Sequence, residues 1–248
     1  MTWIYLSPHF DDIALSCGGL VWEQSRAGEL VQLWTICGGE VPPGPLSPFA
    51  AALHARWEAG QNAPTERRAE DLAACRYMGA SPYHFDLPDC IYRRGLDRIT
   101  HLYASEEGIF GPLHPEEAGL ITQLAADLQA RIPAEAVLVC PLTLGGHVDH
   151  RLTRAAVEKI NRRVWYYADY PYVLLEGSQF EELRQSGWQS TRFSVSEAGL
   201  EAWIASVAAY ASQVSTFWPD APAMQAALRD YWQGSGGGVL LWRPGEKG

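Results

Sequence analysis

Trp3-Ile4-Tyr5-Leu6-Ser7-Pro8-His9-Phe10-Asp11-Asp12 is the stretch whose reading decides the fold. Residues 3–8 read as a short buried strand. Residues 12–27 read as a helix, with Ile13, Leu15, Leu20 and Val21 apolar and Ala27-Gly28 as its stop. Residues 31–37 (Val-Gln-Leu-Trp-Thr-Ile-Cys) form a second strand, closed by Gly38-Gly39. Strand, helix and strand in that order make a βαβ unit, which implies parallel strands joined by a right-handed crossover.

The alternation continues outward from this unit. Residues 40–64 carry five prolines and read mainly as a loop, with a short helix at 48–58. A connection this long in a compact domain is usually functional or lid-like, so the active site is one place to expect it. A helix is expected over 65–78, capped by Thr65 and ended by Gly79. Then come a strand at 82–87, a helix at 116–131, a strand at 136–141, a helix at 149–161 and a strand at 164–168. Helices near 179–186 and 197–213 and a last strand at 238–242 complete the pattern. It predicts one α/β domain over 1–248, with a mostly parallel sheet and helices on both faces.

Hydrophobic residues make up 47% of the 248 and charged residues 19%, enough to bury a full core without disulfides or metals. A bound metal would therefore serve chemistry rather than folding. The formal charge of −10, from 19 basic and 29 acidic residues, disfavours nucleic acid and anionic membranes as partners. The first residues show no basic, apolar signal-peptide pattern, and no stretch approaches the roughly 20 apolar residues of a membrane span. Cys17, Cys37, Cys75, Cys90 and Cys140 are odd in number, scattered and mostly in apolar segments, as expected of buried thiols in a reducing cytoplasm. A homo-oligomer is left open.

Two motifs carry chemistry. Pro8-His9-Phe10-Asp11-Asp12 follows the first strand, and His147-Val148-Asp149-His150-Arg151 follows the strand at 136–141. Both fall at carboxyl ends of expected parallel strands, the edge where open α/β sheets bind ligands. His9, Asp12 and His150 make the two-imidazole, one-carboxylate set that suits catalytic zinc, though iron or cobalt would accept the same donors. Asp11, beside a ligand without being one, is placed to take a proton from the attacking water. His147 is placed to donate to a developing oxyanion, with Asp149 holding its ring and favouring its protonated state. Taken alone, the first motif also fits two aspartates that merely cap a helix. The second motif, in order and after its own strand, argues against that.

At these residues the sequence resembles the LmbE-like, or PIG-L, family of de-N-acetylases. The family's motifs are Pro-His-Pro-Asp-Asp and His-x-Asp-His. Supporting pattern covers Gly18-Gly19, Arg67 to Glu70, Ala73-Ala74, Gly79, Leu87-Pro88-Asp89, Tyr166-Tyr167 and Tyr210-Ala211-Ser212-Gln213. The resemblance implies a Rossmann-like fold, usually zinc, and hydrolysis of an acetamide on an N-acetylglucosamine-containing small molecule. It implies the same roles for the six motif residues and adds Arg67 and Asp89 as substrate-holding. The chain departs from the pattern at Phe10 for the inner proline, at Ile13 for an acidic residue, and at Gly145, where some members carry a tyrosine that assists at the carbonyl. Two other readings stay open: an amidase on a non-sugar acyl substrate, and a non-catalytic metal- or sugar-binding homologue.

Other residues have plainer readings beside functional ones. Arg67 also fits a solvated helix charge, and Asp89 a turn carboxylate after Pro88. His54 and Trp57 fit either a sugar-site wall or loop packing. Tyr166, Tyr167, Tyr170 and Tyr172 fit a strand core better than a pocket wall. His84, His101 and His114 stand outside any ligand spacing and read as structural or surface residues, while the ten tryptophans are compatible with sugar binding.

Overall fold

The computed structural model describes residues 1–57, 63–175 and 177–245. Among the described residues, seven strands form one sheet: β1 (Thr2–Ser7), β2 (Leu30–Thr35), β3 (Ser81–His84), β4 (Val137–Pro141), β5 (Val164–Tyr167), β6 (Trp188–Ser194) and β7 (Gly238–Pro244). Their spatial order is β3-β2-β1-β4-β5-β7-β6. The first five are parallel to one another, while β7 runs antiparallel to β5 and β6 antiparallel to β7. The helices are α1 (Asp12–Arg26), α2 (Pro48–Arg56), α3 (Ala63–Met78), α4 (Glu106–Ile109), α5 (Ala118–Arg131), α6 (Val148–Glu158), α7 (Gly177–Gln185), α8 (Glu197–Ala208), α9 (Ala211–Phe217) and α10 (Ala221–Gly234).

The side-chain alternation of β1 divides the core. Trp3 and Tyr5 pack with residues of α1, α3 and α8 in one cluster. Ile4 and Leu6 pack on the other face with Leu124 and Leu128 of α5 and Leu152 and Val157 of α6. A strand buried on both faces reads as a continuous apolar run, and β1 does. Where α8 crosses α1, Trp203 Nε1 donates to the carbonyl of Ala14 at 2.6 Å. A third, smaller cluster joins Ala50 and Leu53 of α2 to Ile91, Tyr103 and Ile109 beside the carboxyl edge of the sheet.

β1 pairs with β2 on one side and β4 on the other. The chain runs outward from β1 through β2 to β3 and then returns to the other side of β1 as β4, and this reversal of strand order opens a crevice at the carboxyl ends of β1 and β4. The two motifs emerge there.

Several boundaries differ from expectation. The helix expected from Thr65 starts at Ala63, so Thr65 lies in its first turn instead of capping it. The single helix expected over 197–213 breaks into α8 and α9 at Ala209-Tyr210. β6 and α10 were not anticipated, and the sheet ends in an antiparallel pair. Of the proline-rich stretch 40–64, residues 58–62 lie outside the described residues, and Pro48–Arg56 is helical. Among the described residues, no helix is long and apolar enough to cross a membrane.

Candidate active site

After β1 the chain turns over the sheet edge into α1. Asp11 occupies the N-cap position, yet its side chain makes no capping hydrogen bond. Helix capping therefore does not account for it. Asp12 Oδ2 accepts the backbone N–H of His9 at 2.7 Å, which closes the turn, and lies 3.5 Å from His9 Nδ1. The other oxygen of Asp12, Oδ1, lies 3.3 Å from His150 Nε2. One carboxylate thus stands between an imidazole after β1 and an imidazole at the start of α6.

The second motif begins α6. His147 is its N-cap, and His147 Nδ1 accepts the backbone N–H of Asp149 at 3.2 Å. The hydrogen of a neutral His147 ring then resides on Nε2. His150 Nδ1 meets Asp169 Oδ1 at 2.6 Å, which turns Nε2 toward Asp12. Asp169 is itself fixed, since its Oδ2 accepts the N–H of Leu144 at 2.9 Å. His9, His147 and His150 can each offer a ring nitrogen within 4.8 Å of the others; Cys90, His147 and Asp149 form a second such group, and His9, Asp89 and Asp149 a third.

The expected pairing of the Asp149 carboxylate with His147 is not formed. Asp149 Oδ2 lies 3.0 Å from His9 Nε2 and accepts the N–H of Cys90 at 3.0 Å, while Oδ1 pairs with Arg93. Arg93, buried and also bonded to Glu117 Oε1 at 2.5 Å, draws the carboxylate away. The hydrogen bond between Asp149 and His147 runs through the backbone N–H of Asp149, not its carboxylate.

Electrostatics follow from this wiring. Burial pushes the pKa of His9 down, but its hydrogen bonds to Asp12 and Asp149 outweigh that and hold it well above the ordinary imidazole value. Burial also lowers His150, yet Asp12 and Asp169 raise it to about 9. Surroundings that favour a cation on two buried imidazoles equally favour a divalent ion bound by them in neutral form, so the donor set fits a metal. The carboxyl of Asp12 is opposed by burial but held well below its usual range by His150, and that of Asp149 likewise by Arg93. Burial raises Asp11, with Arg67 opposing. Burial, reinforced by His9, pushes His147 well below the imidazole norm, so the protonated His147 expected from the sequence is not favoured here.

His9, Asp11, Asp12 and His147 floor a cleft of about 310 Å³. Arg67 Nη2 donates to Asp11 Oδ1 at 2.9 Å, and the guanidinium lies 5.6 Å from the centroids of both Phe10 and Trp57. Arg67 is 8% exposed, which removes the reading as a solvated charge. Asp89 is a turn carboxylate, its Oδ1 accepting the N–H of Ile91 at 3.2 Å, and it also faces the cleft, with Oδ2 3.7 Å from His9 Nε2. Trp57, Tyr170 and Tyr172 also line the cleft. His54 packs inside the loop, 2.5 Å from the hydroxyl of Tyr92, and Tyr166 and Tyr167 belong to the core.

The family model of PIG-L, GlcNAc-PI de-N-acetylase, matches residues 4–161. This chain belongs to the PIG-L family. The 2'-N-acetylparomamine deacetylase of Niallia circulans is 28% identical over 202 residues, covering 75% of this chain and 71% of that protein. The enzyme of the same name from Streptomyces fradiae is 30% identical over 176 residues, covering 68% of this chain but 57% of its own length. Among solved structures, the zinc-inhibited form of teicoplanin deacetylase Orf2 superposes with a TM-score of 0.81 at 24% identity, over 98% of this chain and 97% of that one. At that identity the likeness is one of fold. The curated relatives are deacetylases, enzymes that act on amide C–N bonds.

The departures from the PIG-L pattern have local causes. Phe10, buried, packs edge-on to His84 at 5.2 Å and supports Arg67 on its face. Its carbonyl accepts the hydroxyl of Tyr210 at 2.7 Å; that hydroxyl also lies 2.6 Å from Asp71 Oδ1, and Asp71 Oδ2 lies 2.6 Å from His84 Nε2. His84 is thus structural. Ile13, in the place of an acidic residue, is fully buried in the core. Gly145 has φ +80°, and a Cβ there would stand 2.7 Å from the ring of Tyr172, which takes up that side of the cleft.

Sequence reasoning missed Asp169 and Arg93. Asp169 sits two residues beyond β5, at the edge already singled out as the binding edge, so its position was a usable signal. Arg93 had none, because its partners Asp149 and Glu117 are distant in the chain.

Proposed function

We propose that this chain hydrolyses the acetamide of an N-acetylated amino sugar, of the N-acetylglucosamine type, carried on a small molecule. The ion is a divalent metal, zinc foremost, held by His9, Asp12 and His150, with iron or cobalt compatible with the same donors. The carrying observation is the Asp12 carboxylate lying 3.5 Å from His9 Nδ1 and 3.3 Å from His150 Nε2, with Asp11 beside it at the cleft. The curated relatives, named as deacetylases of an N-acetylated sugar compound, support the substrate class. Five buried free cysteines support a reducing compartment such as the cytoplasm.

When bound, the ion supplies Lewis acidity toward water and the amide carbonyl. Asp11 takes the proton of the attacking water. Arg67 occupies its Oδ1, which leaves Oδ2 for that proton. His147 donates its Nε2 hydrogen to the carbonyl oxygen as charge develops, a role a neutral ring fulfils. The proton on Asp11 passes to the amide nitrogen as the C–N bond breaks, so acetate and a free amine leave. Asp149 orients His9, and Asp169 orients His150. Arg67 and Asp89, which both line the cleft, hold the sugar.

The test is acetate release from N-acetylglucosamine conjugates by zinc-loaded protein. Asp11→Asn is expected to retain the metal and lose about 100-fold or more in turnover. A near-normal rate in that variant, with metal bound, would remove Asp11 as the base.

A further inference from the structure

Above the metal-site floor, the cleft wall is aromatic. Phe49 and Trp57 stand at α2, Phe110 follows α4, Tyr172 follows β5 and Phe217 ends α9, all half-buried and lining the same space. They come from four separate elements and from different core clusters, so no single helix face explains the convergence. Outside the residues already given roles, the described lining carries two charged side chains, Arg56 and Glu106, whose charges offset each other. Half-exposed rings gathered around a polar, reactive floor are a binding wall for an apolar ligand part.

We infer that the substrate's group beyond the acetylated sugar is neutral and aromatic, and that it packs against this wall. The inference rests on the deacetylase reading above and narrows it. A polycationic carrier, such as an N-acetylated aminoglycoside, would find one carboxylate beyond the catalytic floor, opposed by Arg56. The sugar takes Arg67, Asp89 and Asp11 at the base of the cleft, and the aglycone extends between Phe49 and Phe217.

The full-length, zinc-loaded protein is assayed on four probes: N-acetylglucosamine, its phenyl β-glycoside, N,N'-diacetylchitobiose and 2'-N-acetylparomamine. The phenyl glycoside is expected to exceed the free sugar roughly tenfold or more in kcat/KM, chiefly through KM, because ring burial adds binding energy. That ratio is expected to fall toward one in Phe49→Ala and in Phe217→Ala. Equal rates on phenyl glycoside and free sugar overturn the inference while leaving deacetylation in place. Preference for chitobiose assigns the wall to a second sugar ring, and preference for the paromamine derivative assigns it to a cationic carrier; both overturn it. If no probe releases acetate, calorimetry with phenyl β-glucosaminide against glucosamine separates the two ideas. Tighter binding of the phenyl compound keeps the aromatic site and removes only the reaction, and equal binding removes both.

Discussion

Asp169 Oδ1 lies 2.6 Å from His150 Nδ1, and the carboxylate is anchored from behind by the N–H of Leu144. A carboxylate on Nδ1 favours a proton there and leaves Nε2 as the lone-pair donor that faces Asp12. In Asp169→Asn the amide oxygen can keep the Leu144 bond, but the amide N–H then asks Nδ1 to accept. The ring proton moves to Nε2, the atom that the proposed metal would use. Zinc affinity is expected to fall about 10- to 100-fold, read by competition against a chromophoric chelator. Unchanged affinity would reduce Asp169 to a loop anchor.

Arg67 does two things that a lysine cannot do together. It donates to Asp11, and its guanidinium lies 5.6 Å from the ring centroids of both Phe10 and Trp57. A planar fork with several donors fits that place, and an ammonium does not. Arg67→Lys is expected to keep its metal and lose about tenfold or more in kcat/KM. Steady-state kinetics beside metal analysis check this, and wild-type kinetics in the variant would end the substrate role.

The parts of the fold that sequence reveals are those buried on both faces. β1 and β4 are apolar nearly throughout and carry the motifs at their ends, so strand, edge and site were read together. β6 escaped because Trp188–Ser194 is an edge strand, mostly exposed and polar, with no apolar alternation to register. The break between α8 and α9 escaped because tertiary contacts fix it. Tyr210 at the break is tied to Phe10 and Asp71, and Glu70 accepts the N–H of Ser212 at 2.8 Å. The grouping of His9, Asp12 and His150 was legible because residue type and position coincide there. The partner of Asp149 was not legible, because Arg93 approaches from a segment no local pattern connects to it.

Metal removal separates chemistry from folding. The three core clusters bury their side chains without involving His9, Asp12 or His150. Chelation is therefore expected to abolish acetate release while cooperative unfolding persists. Restoring zinc at about 100 times its Kd should add about 2.7 kcal/mol, seen as a higher Tm. Loss of the unfolding transition on chelation would show instead that the metal is structural.

Gly145 allows a sharper test of the cleft wall. Its φ of +80° strains any residue with a Cβ, and that Cβ would meet the Tyr172 ring at 2.7 Å. Gly28 has a similar φ of +82° with nothing among the described residues within 4 Å, so Gly28→Ala measures backbone strain alone. Gly28→Ala is expected to cost about 1 kcal/mol, and Gly145→Ala about 1–3 kcal/mol more through the clash, by denaturant unfolding. Tyr172 lies edge-on to Phe110, 5.9 Å between centroids, and to His150 at 6.3 Å, so its displacement also disturbs the catalytic floor. Gly145→Ala should then lose activity at temperatures where it is still fully folded, while Gly28→Ala should not. Equal stability losses in the two variants would mean that Tyr172 yields freely and does not form a fixed wall.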